Sequence, residues 1–239
     1  MAKFMGFGLN TVAELLPCFP KKQSDAPVTL LWKSPDGDAS PLDSVIQHTP
    51  NQLSQTGHAT YVEPLHLWDN ASGSHADFTT NFSFSIDAQN NASHADGLAF
   101  FIVPPQYRMP DERQGSVIGL ASGKLILNST ANPFVAVEFD TYYNPWDDMD
   151  HVGIDISSLK SLKSVKRYSS VMDGRVINAR INYNSSSKNL YVYFTGVSGI
   201  GLASGNMTII STANPFVTVT QPILERKKWI TSLRRPRRR

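Results

Sequence analysis

The chain has 239 residues, 41% of them hydrophobic and 18% charged, enough to bury one substantial core, and all-β domains of this length often stay single. Its formal charge is +2, yet the last fifteen residues, ERKKWITSLRRPRRR, gather Lys and Arg against a single Glu, so the basic character sits in a tail and the body is acidic. No window approaches the roughly 18 uninterrupted apolar residues of a membrane span, and one cysteine, Cys18, excludes an intramolecular disulfide.

The N-terminal stretch MAKFMGFGLNTVAELLPCFPKK begins basic, but Asn10 and Glu14 interrupt the continuous apolar run that a secretion leader needs, so it is expected to be a poor one. Against a cytosolic reading stand six Asn-x-Ser/Thr sequons, at Asn70, Asn81, Asn91, Asn128, Asn184 and Asn206, none with Pro in the middle. The two signals conflict, and the compartment stays undecided between an extracellular or secretory location and its alternatives.

From about residue 42 the chain repeats short runs rich in Val, Ile, Phe, Tyr and Thr, separated by Asn, Ser, Gly, Asp and Pro. FTTNFSFSID (78–87) sets Phe78, Phe82, Phe84 and Ile86 on one face. GLAFFIV (97–103), SVIGLA (116–121), FVAVEFD (134–140), RINYN (180–184) and LYVYFTG (190–196) follow. GLAFFIV and FVAV are apolar on both faces, which suits strands buried between two layers. SLKSLKSV (158–165) is a short ambiguous exception with some helical periodicity. The pattern predicts an all-β sandwich.

GLASGKLILNSTANPFVAV (119–137) returns as GLASGNMTIISTANPFVTV (201–219), with thirteen of nineteen positions identical and no gap. Two copies 82 residues apart are too few and too distant for a solenoid, so the repeat reads as a local duplication. The first copy runs into EFDTYYN and the second into TQPILERKK, so the second lacks the acids of the first and is expected to be structural.

Those acids begin VAVEFDTYYNPWDDMDH (135–151). On a strand, residues two apart share a face, so Glu138 and Asp140 project together while Phe139 goes to the other side. Three readings are open: two surface acids at a solvated strand end, the carboxylate pair of a glycoside hydrolase, or a metal site. The hydrolase reading lacks a third carboxylate on the strand, because the next candidate positions are Tyr142 and Tyr143. The metal reading draws on Glu138, Asp140, Asn144, Asp147 or Asp148, and His151, a set of oxygens suited to a hard cation with a nitrogen suited to a transition ion.

VAVEFDTYYNPWDDMDHVGIDISSLKS resembles the metal and sugar segment of the legume lectins, most of all the lectin domains of plant lectin receptor kinases. GHATYVEPLHLWD (57–69), DFTTNFSFSID (77–87), HADGLAFFIVP (94–104) and KNLYVYFTG (188–196) match in the family's order, and the resemblance spans roughly 36–197. It implies a jelly-roll sandwich of two antiparallel sheets, incomplete at both ends, that binds Ca2+ and a transition ion, usually Mn2+, beneath a shallow monosaccharide pocket. By that resemblance Glu138, Asp140, Asp147 or Asp148, and His151 hold the transition ion, with Ser161 reaching it through water. Asp140, Asn144, the same aspartate and the backbone carbonyl of Tyr142 hold calcium. Asp96, set by a cis Ala95–Asp96 peptide, accepts hydrogen bonds from sugar hydroxyls; Asn144 and a backbone N–H near Gly115 donate, and the Tyr142 ring stacks on the pyranose. The implied partners are glycans or glycoproteins, and the family's habit of pairing through sheet edges allows a homo-oligomer.

The chain departs from the family at four places. Asp147 to His151 is one residue shorter than the family's spacing, and Asp148 stands where the family has Pro. Ser116 follows Gly115 where two adjacent glycines are common. After LYVYFTG the chain reuses its duplicated segment in place of the family's last strands, which leaves sheet edges open unless that segment fills a slot. The expected first strand is poorly represented before residue 36. The resulting division is an unassigned segment 1–35, a lectin-like domain 36–197, the duplicated segment 198–222 and a basic tail 223–239. No kinase signature follows, and RRPRRR, without interleaved aromatic residues, carries no expectation of nucleic-acid binding. The function expected is non-enzymatic carbohydrate binding; the alternative is a degenerate lectin homologue that keeps the scaffold as a structural or interaction protein.

Overall fold

A computed structural model describes residues 2–7, 11–16, 32–42, 45–50, 55–61, 67, 69, 71–72, 74–88, 95–104, 107–111, 117–147, 150–166, 174–195 and 208–213. Two seven-stranded antiparallel sheets account for its strands. Along the chain these are β1 (Ala2–Phe7), β2 (Thr11–Leu16), β3 (Trp32–Gly37), β4 (Ser40–Leu42), β5 (Val45–Thr49), β6 (Gly57–Tyr61), β7 (Phe78–Ile86), β8 (Gly97–Ile102), β9 (Val135–Asp140), β10 (His151–Ile156), β11 (Lys163–Lys166), β12 (Ile177–Asn184), β13 (Asn189–Phe194) and β14 (Thr208–Ala213). The first sheet runs β11-β10-β9-β8-β1-β6-β3 and the second β14-β13-β12-β7-β2-β5-β4. Among the described residues no helix is long and apolar enough to cross a membrane.

Alternation dictates the second sheet. In β7 every other residue is buried, from Phe78 through Thr80, Phe82 and Phe84 to Ile86. Its neighbour β12 answers with Ile177, Ala179, Ile181 and Tyr183, whose partners across the ladder are Phe84, Phe82, Thr80 and Phe78. A residue and its cross-strand partner share a face, so these rows pool into one apolar surface. In the first sheet β8 and β9 are buried on both sides. Leu98, Phe100, Ile102, Val135, Val137 and Phe139 face the second sheet across the main core. Ala99, Phe101 and Ala136 face outward, where Val117, Leu120, Phe134 and Leu159 cover them as a second core. The run of doubly apolar strands anticipated from sequence therefore has a third layer of loop as its physical cause.

Phe139 ties the site to this core. Its ring meets Phe84 at 4.7 Å and 61°, and Phe194 at 5.9 Å and 88°, edge-on geometries in which the positive rim of one ring approaches the negative face of another. With Phe139 fixed inward, the pleat turns Glu138 and Asp140 to the opposite face of the sheet.

The strands before residue 36 join both sheets. β1 lies between β8 and β6, and β2 between β7 and β5, inside the segment that sequence leaves unassigned. The duplicated segment also supplies a strand: β14 pairs with β13, with Ile210 opposite Val192. Its counterpart in the first copy, residues 126–131, is a series of turns over the first sheet. The two copies thus take different conformations over these six residues, of which only Ser-Thr-Ala is shared; the strand copy has Thr208, Ile209 and Ile210 where the turn copy has Ile126, Leu127 and Asn128, a change toward β-branched residues that suits pairing with β13.

Candidate metal centre and adjoining pocket

The ladder between β9 and β10 places Asp140 opposite His151, Glu138 opposite Gly153 and Ala136 opposite Asp155. His151, Gly153 and Asp155 thereby share the outward face with the two acids. Glu138, Asp140, His151 and Asp155 are all buried, and His151 and Asp155 have no exposed surface at all. Packing so many ionisable groups out of water is costly without compensation.

The His151 Nε2 to Glu138 Oε1 distance is 3.0 Å, and Asp147 Oδ1 stands 3.9 Å from the same nitrogen. Ligand atoms of Glu138, Asp147 and His151 all lie within 4.8 Å of one another. Ser161 closes the cluster: its hydroxyl lies 2.9 Å from Glu138 Oε1, 2.8 Å from Asp155 Oδ1 and 3.4 Å from His151 Nε2. Its backbone N–H donates to Asp147 Oδ2 at 2.7 Å. That bond holds the loop after β9 against the loop after β10, so the shortened Asp147-to-His151 spacing still brings the aspartate to the histidine.

Asp140 faces the neighbouring compartment. The Tyr142 N–H donates to its Oδ1 at 2.6 Å and Asn144 Nδ2 to its Oδ2 at 3.3 Å. Asp96, at the start of β8, follows a cis Ala95–Asp96 peptide, and its carbonyl accepts from Thr141 N at 2.8 Å. Gly97 comes next at φ 141°, a conformation open to glycine, and a Cβ there would overlap the Phe139 carbonyl oxygen. Strand β8 can thus lie close enough to β9 to bring Asp96 beside Asp140. Asn144 is buried, whereas Tyr142 is 48% exposed at the mouth. Gly115 and Asp148 lie outside the described residues, so their expected roles have no geometry here.

The electrostatics describe a site with too much negative charge. Burial and then the charge of Glu138 push the Asp140 carboxyl up to about 8. Burial pushes Asp96 up to about 6. Burial, with Glu138 and Asp147 adding to it, raises Asp155 well above the usual carboxylate range. Burial disfavours the His151 cation, but the hydrogen bond to and charge of Glu138, with Asp140 and Asp147, outweigh it and raise the imidazole to about 9. Asp155 Oδ2 is buried without a hydrogen-bond partner. Converging acids, one imidazole and an unsatisfied carboxyl oxygen are the donor chemistry that a divalent cation relieves, so the residues fit a metal.

Sequence reasoning brought together Glu138, Asp140, Asn144, Asp147, His151 and Ser161, and the fold places them in one neighbourhood. It gave no role to Gly153 and Asp155. Their signal was present: from His151 the strand alternation continues through both, onto the face that carries the acids.

Comparison with known proteins adds an independent finding. A family model described as the legume lectin domain matches residues 19–217. "Lectin 6" of Medicago truncatula is 38% identical over 183 residues, covering 71% of this chain and 65% of the relative. A putative bark agglutinin of Robinia pseudoacacia is 40% identical over 178 residues, covering 74% and 62%. The chain thus spans a little under two thirds of the length of these curated relatives. Among solved structures, lectin II from Ulex europaeus superposes with a TM-score of 0.68 at 35% identity, covering 81% of each chain.

Proposed function

The chain belongs to the legume lectin family, and on that premise we propose that it binds carbohydrate at Asp96, Asn144 and Tyr142, in a pocket held in shape by Ca2+ and a transition ion such as Mn2+. The single observation that carries the reading is the convergence of Glu138, Asp147 and His151 on one point, directly beside the Asp140 and Asn144 pair. The relatives are lectins, carbohydrate-binding proteins without catalytic activity, and the further carboxylates, Asp147, Asp155 and Asp96, gather around the paired acids and one buried imidazole as cation donors would, which favours the metal reading over the hydrolase reading.

Glu138, Asp140, Asp147 and His151 would hold the transition ion, with Ser161 beside it. Asp140, Asn144, Asp147 and the Tyr142 carbonyl would hold calcium. The ions would supply positive charge that neutralises the buried acids and fixes the loop from Tyr142 to Asp147. Within the pocket the Asp96 carboxylate accepts hydrogen bonds from adjacent sugar hydroxyls, bonds strengthened by the charge on the acceptor. The Asn144 amide is oriented by Asp140 to donate. The exposed Tyr142 ring covers the C–H face of a pyranose and removes it from water. A backbone N–H near Gly115 completes the donor set in this reading. The partners are glycans or glycoproteins.

Calorimetric titration of Ca2+ and Mn2+ into chelator-stripped protein, followed by a glycan array with and without EDTA, tests the reading. Metal uptake with EDTA-sensitive glycan capture supports it. A folded sample that takes up metal but captures no glycan leaves a metal-stabilised scaffold, the degenerate-homologue alternative; uptake of neither overturns the site as a whole.

A further inference from the structure

Three of the six sequons, at Asn81, Asn128 and Asn184, fall on described residues, and the fold treats them differently. Asn81 lies within β7, half-buried, with Arg180 and Leu16 as ladder partners on either side. The hydroxyl its sequon requires, on Ser83, is given to Asn178 Oδ1 at 2.7 Å. Asn184 ends β12, also half-buried; its Oδ1 accepts from Ser187 N, and both the N–H and the hydroxyl of Ser185 bind Asp77.

Asn128 is exposed, in the turns that cover the outward face of the first sheet. Its Oδ1 accepts from the Thr130 N–H at 3.0 Å and the Thr130 hydroxyl at 2.7 Å. A backbone N–H can only donate, so the accepting atom is the oxygen, and the amide nitrogen lies on the other arm of the planar group. The turn is held from below: Asn132 Nδ2 donates to the carbonyls of Leu125 at 2.6 Å and Asn128 at 3.1 Å. A bulky substituent on the Asn128 side chain therefore displaces no element of the sandwich. Leu125 and Leu127 beside it are 40% and 51% exposed, apolar surface that a polar substituent at Asn128 would shield.

The duplicated segment sharpens the contrast. Where the first copy has Asn128 in an exposed turn, the second has Ile210, in a strand paired with Val192. At this position the copy that stays at the surface has the acceptor and the copy that enters a sheet has Ile210; the second copy's own sequon, at Asn206, lies outside the described residues.

We propose that Asn128 is a site of N-linked glycosylation. The donor is an oligosaccharide carried on a polyprenyl diphosphate. Asn128 Nδ2 bonds to C1 of the first N-acetylglucosamine, the bond from C1 to the diphosphate oxygen breaks, the lipid diphosphate leaves, and the amide loses one proton.

The test is translation of the full chain, preceded by an added secretion leader, into microsomes that glycosylate a control sequon protein in the same reaction. Peptides are then mapped by mass spectrometry after enzymatic deglycosylation in heavy-oxygen water. The expected result is heavy-oxygen label at Asn128. Asn128→Gln removes one glycan-sized step in gel mobility, Thr130→Ala does the same, and Thr130→Ser keeps it. Unlabelled Asn128 overturns the proposal, whether the other sequons are labelled or not, and so does an unchanged mobility in both Asn128→Gln and Thr130→Ala.

Discussion

Gly153 sits where Ser161 needs room: a Cβ at Gly153 would overlap the Ser161 hydroxyl and come within 3.0 Å of Glu138 Oε1. The missing side chain lets Ser161 reach Glu138 and Asp155 together. Gly153→Ala is therefore expected to push Ser161 away and to destabilise by about 1–3 kcal/mol through overpacking. It should also weaken uptake of a transition ion by about 10- to 100-fold, the scale on which supporting partners act. Urea unfolding measures the first effect and calorimetry the second. Unchanged metal affinity in the Gly153→Ala variant would show that Ser161 does not support the site.

Phe139 acts from the other side of the same strand. Its burial against Phe84 and Phe194 decides which face of β9 carries Glu138 and Asp140. Phe139→Ala should cost about 3–5 kcal/mol, from lost transfer energy and the cavity left behind, whereas Phe139→Leu, which keeps most of the apolar volume, should cost clearly less. Chemical denaturation of both variants checks the order. Equal losses would mean that the aromatic packing is not what holds the strand.

Without metal, stability should fall as pH rises from about 6.5 to 9. Asp140 and His151 have folded-state pKa values raised above their unfolded ones, to about 8 and about 9, so the folded chain binds more protons than the unfolded chain in that interval. The stability this contributes is present at low pH and lost as pH passes through the folded values. Divalent ion takes over the protons' role, so Mn2+ or Ca2+ at about a hundred times Kd should restore about 2.7 kcal/mol, with uptake releasing protons and tightening as pH rises. On the acid side His48, fully buried and with neither ring nitrogen hydrogen-bonded, has its pKa lowered to about 4 by burial. Between about 6.5 and 4 this one group binds its proton in the unfolded chain, whereas the raised carboxyls of Asp140, Asp96 and Asp155 hold theirs in the folded chain, so His48 offsets part of their effect and the fall of stability with rising pH should be shallower there than above 6.5. Thermal melts from pH 4 to 9 with and without EDTA would reveal both slopes, and a flat metal-free profile above pH 6.5 would refute the charge-crowding account.

Alternation made much of this architecture legible: the phenylalanines of β7 and the doubly apolar runs of β8 and β9 announced the layers, and Glu138-Phe139-Asp140 announced the site. What sequence left hidden was decided by distant contacts. The shared ends of 119–137 and 201–219 do not tell which copy turns over a sheet and which extends along β13; only the central run leans, with Thr208, Ile209 and Ile210 in place of Ile126, Leu127 and Asn128, and the surface that awaits each copy completes the choice. Gly153 reads as an ordinary strand glycine until Ser161 folds back onto it. Asp155 reads as an alternating polar residue until Phe134 and Leu159 roof the second core beside it.

Tyr142 offers the sharpest separation of scaffold from sugar binding, because its ring is 48% exposed while its backbone N–H is committed to Asp140. Tyr142→Ala keeps the backbone N–H and carbonyl and should change stability by no more than about 0.5 kcal/mol and leave metal uptake as it was. Loss of an aromatic platform worth about 0.5–1.5 kcal/mol should weaken glycan binding up to about tenfold. Tyr142→Phe keeps the ring and should bind nearly as the parent does. Calorimetric titration of each variant, metal-loaded, with the sugar that the array identifies reads the difference directly. If Tyr142→Ala binds that sugar undiminished, the ring is not its platform and the contact surface must lie elsewhere around Asp96 and Asn144.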